Sequence, residues 1–226
     1  MKTAKKYWIL FGIAGVLLIF IFVATIFYDN SKIDPESEDA ALASYLMEQD
    51  DIMTNMISTM AITPTTNADL DYLYGMIPHH QASIRMSESY LNYGGSNRKL
   101  KKIAKEIIKE QTKEVEEMEK TAARLERSAI SDTTTEEAYL SAYDEIMSER
   151  HYTKHGTSST QNLDQAFAQG MILHHEMAVK MAEAILANST TDDIHDFAED
   201  VLELQQEEIA QLKTAAYLQD SSLAGY

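Results

Sequence analysis

The chain has no cysteine among its 226 residues. That removes disulfides, thiolate metal ligands and cysteine nucleophiles together. Proline occurs three times and glycine eight times, too rarely to punctuate a fold of many short strands, and strand-like alternation is scarce. No glycine-rich phosphate loop and no nucleophile–base arrangement is present. Chemistry in this chain therefore has to come from histidine, methionine, carboxylates or hydroxyls.

Acidic residues are missing from the first 28 positions, while Lys2, Lys5 and Lys6 stand there. Between Tyr7 and Tyr28 runs an unbroken stretch of 22 apolar or small residues, long enough to cross a bilayer core. The charge bias predicts a single-pass anchor in the cell membrane, with residues 1–6 cytoplasmic and the remainder extracytoplasmic. A cleaved signal peptide is the rival reading. The length of the run and the lack of an A-x-A-like site favour the anchor. All 36 Asp and Glu follow it, against the 19 Lys and Arg less those three lysines, for a net charge of about −20. Such a field repels nucleic acid and attracts cations, although solubility alone also accounts for it.

Residues 29–39 read as a polar tether with Pro35. Helical periodicity then predicts helices near 38–61, 68–92, 98–127, 135–153, 163–188 and 192–218, followed by a tail over 219–226. The chain also repeats itself. Asp51-Ile52-Met53 matches Glu145-Ile146-Met147, and "IAKEIIKEQTKEVEEM" at 103–118 matches "FAEDVLELQQEEIAQL" at 197–212. The expected fold is an all-α antiparallel bundle over 40–218, with repeats at about 40–127 and 135–218.

"GMIPHHQASIRM" begins at Gly75 and "GMILHHEMAVKM" at Gly170, so four of the seven histidines form two matched pairs. Each first histidine has a methionine three residues before it and seven after it. At helical spacing, Met76, His79, His80 and Met86 fall on one side of their helix, as do Met171, His174, His175 and Met181. The apolar arc around them spans half the helix circumference, which places the pairs inside the bundle. A buried imidazole needs a partner, and a thioether beside it suits copper, as Cu(I) or Cu(II). A single buried histidine is more simply a hydrogen-bonded core residue, and a methionine stripe a gap filler. The duplication of the whole pattern favours a metal. Met47, Met53, Met56 and Met60 form a further stripe that ordinary packing explains equally well.

The third helix of each repeat carries Gln111 and Glu114, or Gln205 and Glu208, on its apolar stripe. A carboxylate there is costly unless paired or metal-bound. The preceding histidines are its natural partners, either through imidazole N–H groups or through a shared ion. Pro78, absent from the second copy, should free the Tyr74 carbonyl and open the helix before the first pair.

The two histidine motifs, each followed by A-x6-Q-x2-E-[VI] (Ala104, Gln111, Glu114, Val115; Ala198, Gln205, Glu208, Ile209), resemble the bacterial family catalogued as domain of unknown function 305. The resemblance implies a ferritin-like bundle, exported or membrane-anchored, with a link to copper binding and tolerance. It makes the eight histidines and methionines above the candidate ligands. Ferritin-type di-iron chemistry does not follow, because neither pair has a glutamate three residues before it.

Three functions fit these observations: a membrane-tethered copper buffer or transfer protein, a metal-dependent redox enzyme on the same ligands, or a structural bundle with hydrogen-bonded histidines. The lack of any substrate motif favours the first over the second.

Overall fold

A computed structural model describes residues 38–128, 131–149, 160, 162–189 and 191–223. The apolar run at 7–28 lies outside them. Among the described residues, no helix is long and apolar enough to cross a membrane, and there is no strand.

Six helices account for nearly all of these residues: α1 Glu38–Thr59, α2 Ala68–Tyr93, α3 Arg98–Ser128, α4 Thr133–Ser148, α5 Leu163–Leu186 and α6 Asp192–Leu223. Their starts follow local chemistry. Asn67 accepts the Leu70 N–H at 3.1 Å, Asn97 the Lys99 and Leu100 N–H groups, Asp132 those of Thr134 and Thr135, and Asn162 that of Gln165. Each side chain satisfies a donor that the first turn leaves without an intrahelical acceptor. Gly94 ends α2 in the left-handed region at φ 83°, where a side chain would be strained. The expected helices sit within a few residues of these bounds. The exception is α4, whose expected end at 153 falls beyond the described residues.

The compact unit covers Leu42–Tyr226; of Met1–Ala41, only the first turn of α1 is described. Within the compact unit, α2 packs on α3, α5 on α6, α2 on α5 and α3 on α6, a closed ring of four helices, with α4 against both α2 and α5. The α3 stripe drives this association. Leu100, Ile103, Ile107, Met118, Ala122 and Leu125 are all buried, each large aliphatic contributing about 1.5–3 kcal/mol relative to exposure. α1 buries Ile52, Met53 and Met56, and Met60 just beyond it is also buried. Met47 is 72% exposed, so the first-helix methionine stripe loses a member. α2 is a continuous helix through Pro78.

Gly75 allows α4 to approach. A Cβ there would lie 2.9 Å from the Tyr143 hydroxyl, which donates to the Met60 carbonyl. At Gly170 the nearest atom to such a Cβ is Met86 Cε at 3.6 Å, an ordinary contact.

Candidate metal centre

Where α2 crosses α5, the two histidine pairs meet. His79 and His174 are stacked face to face, ring centroids 3.7 Å apart and planes 18° from parallel. His79 Nε2 lies 3.1 Å from the His174 carbonyl oxygen, and His174 Nε2 lies 3.1 Å from the His79 carbonyl oxygen. A carbonyl can only accept, so both Nε2 atoms carry the proton. That leaves a lone pair on each Nδ1, and both Nδ1 atoms are buried without a hydrogen-bond partner. Burial, followed by the neighbouring histidines, holds His79 and His174 well below the usual imidazole range. Both are therefore neutral, the form that binds metal.

His80 and His175 flank this stack, at 6.1 and 6.0 Å from their neighbours' ring centroids. His80 Nε2 is 3.0 Å from Glu114 Oε2, and His175 Nε2 is 3.1 Å from Glu208 Oε2. Despite these distances, none of the four atoms is aligned as a hydrogen bond, and both Nδ1 atoms also lack a partner. A ring nitrogen beside a carboxylate oxygen, off the hydrogen-bond line, is an arrangement that can accept a cation. Gln111 Oε1 and both polar atoms of Gln205 are buried and unpartnered on the same helices. Unpaired buried polar groups cost about 1–3 kcal/mol each, so this set is a concentrated debt of solvation at the centre of the bundle.

The four methionines share α2 and α5 with the histidines. Met76, Met86, Met171 and Met181 are at most 1% exposed. Met171 Sδ accepts a hydrogen bond from Ser83 Oγ at 3.3 Å, and Met86 reaches the opposite copy at Gly170. Two of the four thioethers thus lie against the partner repeat. All twelve residues singled out in the sequence sit on the four helices of the ring, and only Glu114 and Glu208 retain measurable side-chain exposure, 17% and 8%.

Several residues that shape this region gave a weaker signal. Asp164 accepts from Tyr90 OH at 2.6 Å, Ser96 N at 2.9 Å, Ser96 Oγ at 2.6 Å and Asn97 N at 3.0 Å. Its counterpart Asp69 accepts from Thr191 Oγ1 at 2.8 Å. Each aspartate stands ten residues before a stacked histidine, and each ties its helix to the start of the third helix in the other repeat. That matched position was the available clue. On the exposed face of α6, His195, Asp196 and Glu199 bring ligand atoms within 4.8 Å of one another, where water already solvates them.

Fold and site together define a class: an all-α bundle with histidine pairs buried at the contact between duplicated helices. Residues 33–122 and 69–216 match the model of the family described as Domain of unknown function (DUF305), and the chain belongs to that family. No curated protein matches the chain. Among solved structures, CopM in the Cu(I)-bound form is 28% identical, covering 67% of this chain and 96% of that one at a TM-score of 0.49. CopM in the Cu(II)-bound form is 27% identical over 67% of this chain and 97% of that one, with the same TM-score. At that TM-score the likeness bears on neither ligand nor mechanism here.

Proposed function

We propose that this protein binds copper in its buried histidine–methionine core and buffers it or passes it on. One observation carries the reading: six buried imidazole nitrogens lack a hydrogen-bond partner, two on each of His80 and His175 and one on each of His79 and His174. Imidazole nitrogens and thioethers are softer than oxygen ligands, and soft ligands favour copper, especially Cu(I), over magnesium or calcium. His79 and His174 would offer Nδ1, and His80 and His175 either nitrogen. Met76, Met86, Met171 and Met181 would offer sulfur. Glu114 and Glu208 lie where they can balance charge or bind directly, with Gln111 and Gln205 beside them. Copper is the cargo, and burial keeps it from water and from competing ligands. The apolar run at 7–28 would tether the protein to the cell membrane and place the bundle outside the cytoplasm.

The test is a titration of the full-length chain with Cu(I) under reducing conditions, beside calcium. Copper should bind tightly and calcium weakly or not at all. Equal affinity for the two ions would contradict the proposal.

A further inference from the structure

The connector between α1 and α2 contains an unusual backbone. Thr66 has φ 67°, inside the left-handed region that a β-branched residue avoids. It is held there from both sides by α4. The Asp132 N–H donates to the Thr66 carbonyl at 2.8 Å, and the Thr66 N–H donates to Glu136 Oε1. Next to it, Thr65 donates to Asp71 Oδ1 through its N–H at 3.2 Å and its hydroxyl at 2.7 Å. Asp71 is fully buried and Glu136 is 5% exposed.

These two carboxyls hold adjacent backbone N–H groups, Asp71 that of Thr65 and Glu136 that of Thr66. Buried carboxyls set this close, with no cation beside them, disfavour charge on both at once. Asp71 Oδ2 is buried with no hydrogen-bond partner. None of the groups acting on Asp71 is cationic. Its remaining titratable neighbours are Tyr139 on α4 and Tyr74 on α2, the latter bonded to Glu126 of α3.

We propose that Asp71, beside Glu136, is the proton-operated part of a latch, which fastens the strained connector at Thr66 to the start of α4 while the buried Asp71 carries a proton and loosens it when Asp71 ionises. The hydrogen bonds from Thr65 favour an ionised Asp71, but burial outweighs them and pushes its carboxyl up to about 6, with Glu136 adding to the rise. An ordinary aspartate in the unfolded chain titrates near 3.8. A folded value raised above the unfolded one gives stability that is complete below the unfolded value and lost as pH rises through the folded one. The operating window is therefore about pH 4 to 6. The connector is closed in acid and loosened at neutral pH.

The test compares the metal-free full-length chain with Asp71→Asn and Glu136→Gln. Relative to either variant, the folding equilibrium of the wild type should fall by up to about tenfold per pH unit between pH 4 and 6, then level off. A second measurement needs no variant. Hydrogen-exchange protection of the Thr66 and Asp132 amides, corrected for intrinsic rate, should drop across pH 6, while amides in the middle of α3 stay protected. Wild-type and Asp71→Asn curves that run parallel would overturn the proposal. So would protection at Thr66 and Asp132 that is constant across pH 6.

Discussion

His79 and His174 each donate a ring N–H to the other's backbone carbonyl, both at 3.1 Å, while their rings stack at 3.7 Å. This reciprocal contact locks α2 to α5 and fixes both tautomers. It also turns both Nδ1 lone pairs into buried, unpartnered donors. Under the proposed copper binding, structural and ligand roles divide between the two nitrogens of one ring.

That division predicts different losses at adjacent positions. His79→Ala should remove a packing and hydrogen-bonding partner of His174 and cost about 2–4 kcal/mol of metal-free stability. His80→Ala should cost less, because its nitrogens make no aligned hydrogen bond, yet it should weaken copper binding. Urea unfolding together with copper titration of the two variants separates the effects.

Glu114→Gln and Glu208→Gln should each weaken copper binding by roughly 10–100-fold, as loss of a supporting carboxylate does. The metal-free melting temperature should hardly move, since Gln matches Glu in size and helix propensity. Unchanged affinity in both variants would remove the carboxylates from the site.

The pH response of the histidine stack has the opposite sign to that of Asp71. His79 and His174 are held neutral by burial, whereas an unfolded histidine protonates below about 6.5. Their contribution is complete above that value and lost as pH falls below it, by at most about 1.4 kcal/mol per pH unit for each group. Denaturant unfolding of wild type and His174→Gln from pH 7 to pH 5 should show the gap between them narrowing in acid.

The glycines of the two motifs should not respond alike. Gly75→Ala places a Cβ 2.9 Å from the Tyr143 hydroxyl, and overpacking of this kind costs about 1–3 kcal/mol. Gly170→Ala meets only Met86 Cε at 3.6 Å, so the gain in helix propensity of about 1 kcal/mol should offset any crowding. Thermal melts of the pair check the contrast.

Asp164→Ala strands four donors and should destabilise by about 3 kcal/mol or more, while Asp69→Ala, with one hydroxyl partner, should cost about 1 kcal/mol.

Much of this was legible in the sequence because helices write their period and caps locally. The expected starts at 68, 98 and 163 match the structure, where Asn67, Asn97 and Asn162 cap them, and the Gln111 and Gln205 stripes pointed inward as they do in the structure. Contacts between distant segments were not legible. Nothing in the spacing of Asp71 and Glu136 tells that they meet, nor that Tyr143 fits over Gly75. Met47 has the period of a core residue but faces water, because periodicity gives a side of the helix and not what covers it. The tautomers of His79 and His174 depend on two carbonyls brought together across the repeats.

The central claim is that copper sits among imidazoles and thioethers rather than on the acidic surface. X-ray absorption of the Cu(I)-loaded full-length chain tests it most directly. Nitrogen and sulfur neighbours should appear together in the nearest shell of ligand atoms, with the signal altered when both His80 and His175 are replaced by Ala. A shell of oxygen alone, unchanged by those substitutions, would contradict it.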